Sequence, residues 1–354
     1  MMKELMNLQL FANHVNVTTD TMTSGQTYPT YNSLSAEMKT FYDMTLIDEA
    51  TAQLVHDQFG QKRPIPANGG KTIEFRKFSS LPKATTALTE GVTPDGKRLD
   101  VTAITATVSQ YGDYITQSDV LELTALDNTI LEATKLLGKQ AGSTLDTIVR
   151  NVLLAGTNVT YCPTVANGTE TAVTSRANLN TTSKLTVKTI QKVVAKLRGQ
   201  NAPTFNGKYV AIIHPYVAYD LMRDPEWIDA HKYANPTNLY EGEIGEIAGV
   251  RFVQTTEAKV WNDNTCPKIG SDGTTYHSVF ATLIMGEGAY GVTEITGGGL
   301  QTIVKQKGSA GTADPLDQRS SVGWKAIKTA ELLVPNYLVR VESCSPDFDS
   351  TAAN

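Results

Sequence analysis

Cysteine is scarce in this chain of 354 residues, which contains only Cys162, Cys266 and Cys344. The three residues are odd in number and far apart, and no two of them have the spacing of a zinc site or a redox motif. This pattern argues against a disulfide framework and predicts free thiols in a reducing compartment.

Long apolar runs and an excess of basic residues are also missing. No run approaches the ~18 apolar residues that a membrane-spanning helix needs, and residues 1–12 look too short and too polar for a signal peptide. The formal net charge of −5 gives no overall electrostatic basis for nucleic-acid binding, although local basic patches remain open. We therefore expect no membrane partner and no sequence-specific contact with DNA.

The strongest periodic pattern lies in residues 127–155. Apolar residues recur there at steps of three and four, which places them on one stripe of a helix. They are Ile130, Ala133, Leu137, Ala141, Leu145, Ile148 and Val152. With Asp127 as N-cap and Gly156 after the last turn, the pattern predicts a helix roughly 40 Å long.

Glycine and charge on this helix indicate how it is buried. Gly138 and Gly142 each cost about 1 kcal/mol against alanine, so tertiary packing must stabilise the helix. Four polar residues occupy the side opposite the stripe: Lys135, Lys139, Asp146 and Arg150. We therefore expect a brace buried along one side only, against a sheet.

An extended hairpin precedes this helix. Residues 70–81 and 98–112 both alternate apolar with polar side chains, as strands with one buried face do. Residues 81–97 connect them and are too long and too polar for a tight turn inside a core. A two-stranded arm is marginal on its own, so we expect support from outside the chain, as in an assembly protein.

The same patterns assign the remaining segments. They are a flexible arm at 13–32, a helix at 35–59, a loop at 156–184, a block of helices and strands at 185–290, returning strands from 292 and a disordered tail from 345. The block includes an amphipathic helix at 185–198 and an aromatic loop around Trp227 and Tyr233. Because helices and strands alternate within the block at 185–290, we expect it to form a compact α+β domain inserted after the long helix.

Six stretches of the chain carry a resemblance to a known family. They are FYDMTLIDEATAQLVHDQFGQ (41–61), GGKTIEFRKFSSLP (69–82), LTEGVTPDGKRL (88–99), VSQYGDYITQSDV (108–120), GEIGEIAGVRFVQT (242–255) and DPLDQRSSVGWK (314–325). They resemble, in family order, the major capsid proteins of tailed phages. More narrowly, they resemble the branch typified by the N-four coliphage capsid protein.

The resemblance implies the Hong Kong 97-type phage capsid fold, which is α+β. On this chain it implies an N-terminal arm and helix at 1–60, an extended β-hairpin (the E-loop) at 61–117, a peripheral domain with a long spine helix at 118–184, an axial domain at 185–290, a returning β segment of the peripheral domain at 291–344 and a tail at 345–354.

The implied function is that of a major capsid protein. Such a subunit self-assembles as hexamers and pentamers into a procapsid, which matures into the icosahedral virion shell around double-stranded DNA. The family's partners are scaffolding and portal proteins, and assembly takes place in the host bacterial cytoplasm. Because only about sixty residues precede the hairpin here, we expect a separate scaffolding protein.

Two groups of charged residues are candidates for contacts in such a shell. The first group is expected to join the hairpin tip to a neighbouring subunit: Glu90, Asp95, Lys97 and Arg98 at the tip, with Asp317 and Arg319 on the neighbour. The second group recurs at every fourth residue: Lys184, Lys188, Lys192 and Lys196. Like charges at this spacing repel by a few tenths of a kcal/mol, and an opposing anion, either DNA phosphate or an acidic face of the next subunit, would offset that repulsion. A solvated helix face is the more common explanation of such a run and is the one we favour from the sequence.

An enzyme is the main alternative from another class. Residues 286–291, GEGAYG, fit the dinucleotide motif G-x-G-x-x-G, but that motif needs a helix next and the residues that follow are strand-like. A turn between strands fits better, and a nucleotide-binding enzyme stays an alternative. The five histidines have no metal-site spacing, and they are His14, His56, His214, His231 and His277. We expect no catalytic residues, cofactor or metal, and a surface adhesin would require a signal peptide.

Overall fold

The computed structural model describes residues 44–50, 54–66, 68–78, 81–93, 95–124, 129–232, 245–269, 275–296, 298–309 and 314–354. The flexible arm expected at 13–32 and the expected N-cap Asp127 lie outside these residues. The chain forms two compact units. Unit 1 contains Gln110–Gly142, Gly298–Ile327 and the described residues before Leu54, and unit 2 contains Leu54–Ser109, Ser143–Gly297 and Lys328–Asn354.

The helices follow the periodic apolar stretches of the sequence. They are α1 (44–50), α2 (Asp119–Thr124), α3 (Thr129–Leu154), α4 (Val187–Gly199), α5 (Pro215–Met222) and α6 (Pro225–Lys232). In the described chain, none of the helices is both long and apolar enough to cross a lipid bilayer.

The strands are shorter and more numerous. They are β1 (Gln61–Lys62), β2 (Thr72–Phe78), β3 (Val101–Thr107), β4 (Ser109–Ser118), β5 (Val159–Tyr161), β6 (Thr164–Ala166), β7 (Thr169–Thr171), β8 (Tyr209–Ile213), β9 (Glu246–Ile247), β10 (Val250–Gln254), β11 (Val260–Trp261), β12 (Val279–Met285), β13 (Tyr290–Glu294), β14 (Gln301–Lys305), β15 (Arg319–Leu332) and β16 (Leu338–Cys344).

In unit 1, two glycines let β4 and β15 lie unusually close together. A Cβ at Gly112 would lie 2.6 Å from the carbonyl oxygen of Trp324, and one at Gly323 would lie 2.7 Å from the Cβ of Tyr114. The other edge of β15 pairs antiparallel with β14, from Gln301 opposite Lys325 onwards. Side chains larger than glycine would force this sheet apart.

Helix α1 packs on the first half of α3, also in unit 1. A Cβ at Gly138 would lie 2.9 Å from the carbonyl oxygen of Leu46 and 3.0 Å from the Cβ of Glu49. Leu46 and Ala50 are fully buried. The close approach of the two helices explains a glycine that the helix itself disfavours.

The core of unit 2 is a seven-stranded sheet in the order β5-β16-β12-β8-β10-β9, with β11 on β12. Every residue of β8 and β12 is buried. Helices α4 and α5 supply Ile190, Leu197 and Leu221 to the same apolar cluster as these strands. Strands buried on both faces read as continuous apolar runs, as YVAII and VFATLIM do.

A second sheet region of unit 2 joins β1, β13 and the last part of β15. β1 is parallel to β13, and β13 is antiparallel to β15 from Tyr290 opposite Leu332 onwards. Val149 and Leu153 of α3 pack against this region through Val292 and Ala330. The returning strands therefore lie against the long helix, as the sequence predicts.

The long helix itself is confirmed, and its stripe residues Ala133, Leu137, Ala141 and Leu145 are buried. The expectation that its other side is wet along its whole length is wrong, because Asp146 and Arg150 are buried too. The Asp146 carboxylate accepts hydrogen bonds from the backbone N–H of Val55 (2.8 Å) and of His56 (2.7 Å), and it contacts His56 Nδ1 at 2.6 Å. Arg150 donates to the carbonyl oxygen of Glu257 at 2.7 Å.

These contacts of Asp146 also correct the helix expected at 35–59. Residues 44–50 are helical, but the chain is not helical at 54 and 55 and forms a turn at 56–59. Two backbone N–H groups there bond to the Asp146 side chain instead of to a helical carbonyl. A tertiary partner of this kind cannot be inferred from local periodicity.

Four further features of the structure differ from what the sequence predicts. The loop at 156–184 contains β5, β6 and β7, and Trp227 lies in α6 rather than in a loop, whereas Tyr233 falls outside the described residues. The 14-residue strand β15 was not predicted. The single return strand at 98–112 is broken at Val108 into β3 and β4, of which only β3 pairs with β2.

The tail from 345 is ordered, so the expected disorder is wrong. The Phe348 ring stacks on Tyr216 at a centroid distance of 4.0 Å, and His277 Nδ1 lies 2.6 Å from the Asp349 carboxylate. At the end of the chain, the Asn354 side chain donates to the carbonyl oxygen of Ala258 at 2.9 Å. Aromatic stacking and hydrogen bonds thus attach the tail to unit 2.

Candidate inter-subunit surfaces

The hairpin β2–β3 is firmly attached at its base. Its two strands pair from Thr72 opposite Thr107 to Phe78 opposite Val101. Phe75 is buried and clusters with Ala106 and Leu333. A Cβ at Gly291 would lie 2.7 Å from the Phe75 ring, so the glycine makes room for it.

The loop beyond this base, which we call the hairpin loop (residues 81–100), is exposed at every described position and has no regular structure. It carries the four predicted contact residues Glu90, Asp95, Lys97 and Arg98. It also exposes four apolar side chains that were not predicted as contacts: Leu81, Leu88, Val92 and Leu99. Structureless loops of this length are uncommon in compact proteins and usually carry function.

Asp317 and Arg319 lie on an exposed turn of unit 1. The Asp314 carboxylate accepts a hydrogen bond from the Arg319 backbone N–H at 2.8 Å, and the Arg319 Nε lies 3.8 Å from it. Asp317 has a φ of 53°, a conformation that aspartate tolerates better than most residues. The prediction that this turn meets the hairpin loop of a neighbour stays a prediction.

The lysine stripe is only partly a helix face. Helix α4 begins at Val187, with the Thr186 side chain accepting a hydrogen bond from the Thr189 N–H, so Lys184 precedes the helix. The placement of Lys184 on the helix is therefore wrong, because the N-cap fixes a later start. Its ammonium group lies 3.5 Å from the buried Asp220 carboxylate.

The other three lysines line a groove of 720 Å³ between α4 and the strands β5 and β7 with the residues that follow them. Lys188 forms an ion pair with Glu170 at 2.8 Å, between Nζ and Oε2. Lys192 and Lys196 are exposed along the same groove. We call it the lysine groove.

The GEGAYG segment does not form a nucleotide site. Residues 286–289 form the turn between β12 and β13, and Tyr290 and Gly291 already belong to β13, so a strand rather than a helix follows the turn. Its first glycine is required by packing, because a Cβ at Gly286 would lie 2.4 Å from the carbonyl oxygen of Pro203. The last, Gly291, accommodates Phe75. The nucleotide-binding alternative is therefore wrong, because a strand follows the turn where the motif requires the N-terminus of a helix to bind a phosphate.

The cysteines are buried free thiols, as the sequence predicts. Burial raises the pKa of Cys344 to about 12 and that of Cys162 further still, so neither forms a reactive thiolate near neutral pH. Within the described residues, no group of three or more His, Cys, Asp and Glu side chains could hold a metal ion. Among the histidines with described side chains, His56 and His277 pair with Asp146 and Asp349, and His214 caps α5.

Unit 1 also exposes apolar side chains that the sequence reasoning missed. Helix α2 has no buried residue, and Val120, Leu121 and Leu123 on it are exposed. Leu136 on α3 and Met44 on α1 are exposed as well. Two leucines and a valine within a six-residue helix were the available signal, and a partner surface is the usual reason for leaving them uncovered.

Known proteins share this fold. The structure is similar to the capsid of Ralstonia phage GP4, with a TM-score of 0.61 and 14% identity over 82% of this chain and 88% of that one. It is also similar to the cyanophage Pam1 capsid, with a TM-score of 0.61 and 12% identity over 92% and 98% of the two chains. For the cyanophage P-SCSP1u capsid, the TM-score is 0.60 and the identity 14%, over 82% and 88%. The chain therefore has the Hong Kong 97-type capsid fold.

The sequence itself supplies the family. No curated protein sequence matches the chain. The family model described as phage capsid protein matches residues 122–310, which is more than half of the chain and includes α3, α4 and most of the seven-stranded sheet. The chain thus belongs to the phage capsid protein family, and it is a major capsid protein, a subunit of a phage shell.

Proposed function

We propose that this subunit tiles an icosahedral shell around the double-stranded DNA of a tailed phage, and that the hairpin loop ties each subunit to a neighbour. The observation that carries the proposal is a loop with a rigid base and an uncovered tip. Phe75 fixes the base in unit 2, while Leu81, Leu88 and Val92 on the loop are left in water. A second subunit is the surface that would cover them.

The charges on the loop define what it contacts. Lys97 and Arg98 are basic and adjacent, and they match Asp317 on the exposed turn of a neighbour; Glu90 matches Arg319 in the same way. Ion pairs at an interface rim contribute little energy but fix the register. The four apolar residues of the loop supply the area buried.

The proposal also covers the branch of the family and the domain organisation of the subunit. We assign the chain to the N-four-like coliphage branch, with the arm, E-loop, peripheral and axial domains as the resemblance implies them. It acts as a structural protein and not as an enzyme. Its partners are copies of itself in hexamers and pentamers, a scaffolding protein, a portal protein and packaged DNA, and assembly takes place in the host bacterial cytoplasm before procapsid maturation.

The first test removes the tip of the loop. A chain in which a short Gly-Ser linker replaces residues 88–98 keeps Phe75 and the whole core, so we expect normal circular dichroism and no shells. Sedimentation velocity and negative-stain imaging of both proteins measure the outcome. Shells formed by the shortened chain as efficiently as by the full chain would refute the role of the loop.

A double-mutant cycle then tests the pairing. Lys97→Gln with Arg98→Gln should lower the assembled fraction, and so should Asp317→Asn, which suits the φ of 53° at that position. If the residues touch, combining all three changes costs no more than either set alone, whereas independent sites give additive losses. Lys83→Gln, on the same loop, is the matched control and should assemble normally.

A further inference from the structure

The lysine groove has an excess of positive charge that the described chain does not neutralise. Lys188 has Glu170 as its partner, at 2.8 Å. Lys192 and Lys196 form no ion pair with any residue that the structure describes. One carboxylate, carried by β7, therefore occupies one end of a three-lysine row.

The spacing of the row fits an extended polypeptide. Residues four apart on a helix lie about 6 Å apart along its axis, and alternate residues of a strand lie about 6.6 Å apart on one face. Glu170 shows the arrangement, because it lies on a strand and reaches the first lysine. An extended segment with carboxylates on alternate residues would reach Lys192 and Lys196 in the same way.

The lining of the groove favours a peptide over DNA. Besides the lysines and Glu170, the groove is lined by apolar and by uncharged polar residues: Val159, Pro163, Ala172, Val173 and Val193, with Thr160, Tyr161, Thr174 and Thr189. Protein–DNA interfaces are more polar and more positively charged than this. The Glu170 carboxylate inside the groove would also repel phosphates.

Two segments after α6 carry carboxylates on alternate residues, Glu241–Gly242–Glu243 and Asp347–Phe348–Asp349. The second begins in a 3₁₀ helix and its Asp349 pairs with His277, so it does not present two carboxylates along an extended backbone. Glu241 and Glu243 alternate around Gly242, within residues 233–244 between Lys232 and Gly245. A segment of twelve residues whose two ends are close together can extend at most roughly 20 Å away from those ends.

We propose that the lysine groove binds the acidic segment Glu241–Gly242–Glu243 of a second copy of this chain, with Lys192 and Lys196 as the partners of the two carboxylates. This inference rests on the proposed function, because it requires copies held side by side in a shell. It assigns the groove to contacts between adjacent subunits and not to the packaged genome.

Zero-length cross-linking tests the contact directly. Shells assembled from a mixture of ¹⁴N- and ¹⁵N-labelled full-length chains are treated with a carbodiimide, which joins lysine to glutamate, and digested for mass spectrometry. We expect links from Lys192 or Lys196 to Glu241 or Glu243, with mixed isotopes in half of them. Links of one isotope only would place the segment in its own groove, and absent links would remove the contact; either result overturns the proposal.

Charge reversal provides the functional test. Lys192→Glu with Lys196→Glu, and separately Glu241→Lys with Glu243→Lys, should each raise the subunit concentration needed for assembly by roughly tenfold, as expected of two ion pairs. Combining the four changes should restore assembly. The matched control adds acidic residues at exposed positions of α4 outside the groove, Gln191→Glu and Ala195→Glu, and should assemble like the wild type.

The outcomes separate the two proposals. A wild-type chain that never forms shells, with or without a scaffold, would defeat the proposed function itself. Shells that form normally from the groove variant would overturn only the groove proposal. Normal shells of that variant that hold less DNA would identify nucleic acid as the occupant, and would overturn it as well.

Discussion

Buried charged residues in this protein find partners far away in the chain. Glu342 is fully buried and accepts two hydrogen bonds from Arg176, at 2.7 and 2.8 Å. The Arg340 Nε lies 2.9 Å from the same carboxylate, and the Arg176 guanidinium lies 3.7 Å from the centre of the Trp261 ring. Removing one member of such a cluster leaves a buried charge unpaired. The resulting loss of stability is larger than the net stabilisation that the intact cluster provides.

His214 is the residue with the clearest dependence on pH. It is buried, its Nδ1 accepts a hydrogen bond from the Tyr216 N–H at the start of α5, and burial lowers its pKa from 6.5 to about 4. Between pH 4 and pH 6.5, His214 is therefore protonated in the unfolded chain and neutral in the folded chain. The stability linked to His214 is fully present above pH 6.5 and is lost as the pH falls towards 4.

We predict that His214→Asn flattens this dependence. Asparagine keeps an N-cap acceptor but does not titrate. Between pH 6.5 and 4, the free energy of unfolding of the wild type should fall by up to roughly 3 kcal/mol more than that of the variant. Urea unfolding of unassembled subunits at a series of pH values measures the difference, and parallel curves would contradict the prediction.

At the scale of elements, apolar periodicity predicts the helices and strands that bury one face. It misses polar residues that are buried because a residue distant in the sequence binds them. The α3 and α4 helices were found because their apolar residues repeat at helical spacing. Strand β15 was missed because its buried alternate positions include Ser320 and Lys328, and Lys328 is buried only through its 2.8 Å ion pair with Asp57. The same reasoning explains the buried Asp146, whose partner lies 90 residues away.

Alanine substitution at two helix glycines should change the stability of the subunit in opposite directions. Gly138→Ala should destabilise the subunit, because its Cβ would meet the Leu46 carbonyl oxygen at 2.9 Å in backbone that cannot easily move. Gly199→Ala, at the end of α4, has open space around its Cβ and should stabilise by up to about 1 kcal/mol. Thermal unfolding of both variants measures the shifts, and a stabilising Gly138→Ala would show that α1 does not approach α3 so closely.

At the scale of the whole molecule, the sequence was more informative about function than about contacts. The candidate surfaces could be placed on the hairpin because a polar 17-residue connection stood out between two alternating strands. The lysine groove could not be predicted from the sequence. The strands of its other wall lie in a stretch that is rich in Thr, Asn and Gly and has no apolar period. Short strands of polar residues are recognised only once their neighbours are known.

Assembly should change which bonds of the hairpin a protease can reach. In the unassembled subunit, Lys83, Lys97 and Arg98 lie in exposed backbone without regular structure, so trypsin should cut there first. Arg76 and Lys77 are also exposed, but they lie in the paired strand β2, whose backbone is hydrogen-bonded to β3. They serve as an internal control and should resist cleavage in both states.

In assembled shells, we predict that the cuts at Lys83, Lys97 and Arg98 slow by at least tenfold, because a neighbour covers the loop. Mass spectrometry of timed digests of subunits and shells measures both rates. Equal rates at the loop would mean that the tip stays in solvent after assembly, and the apolar side chains of Leu88 and Val92 would then need another partner.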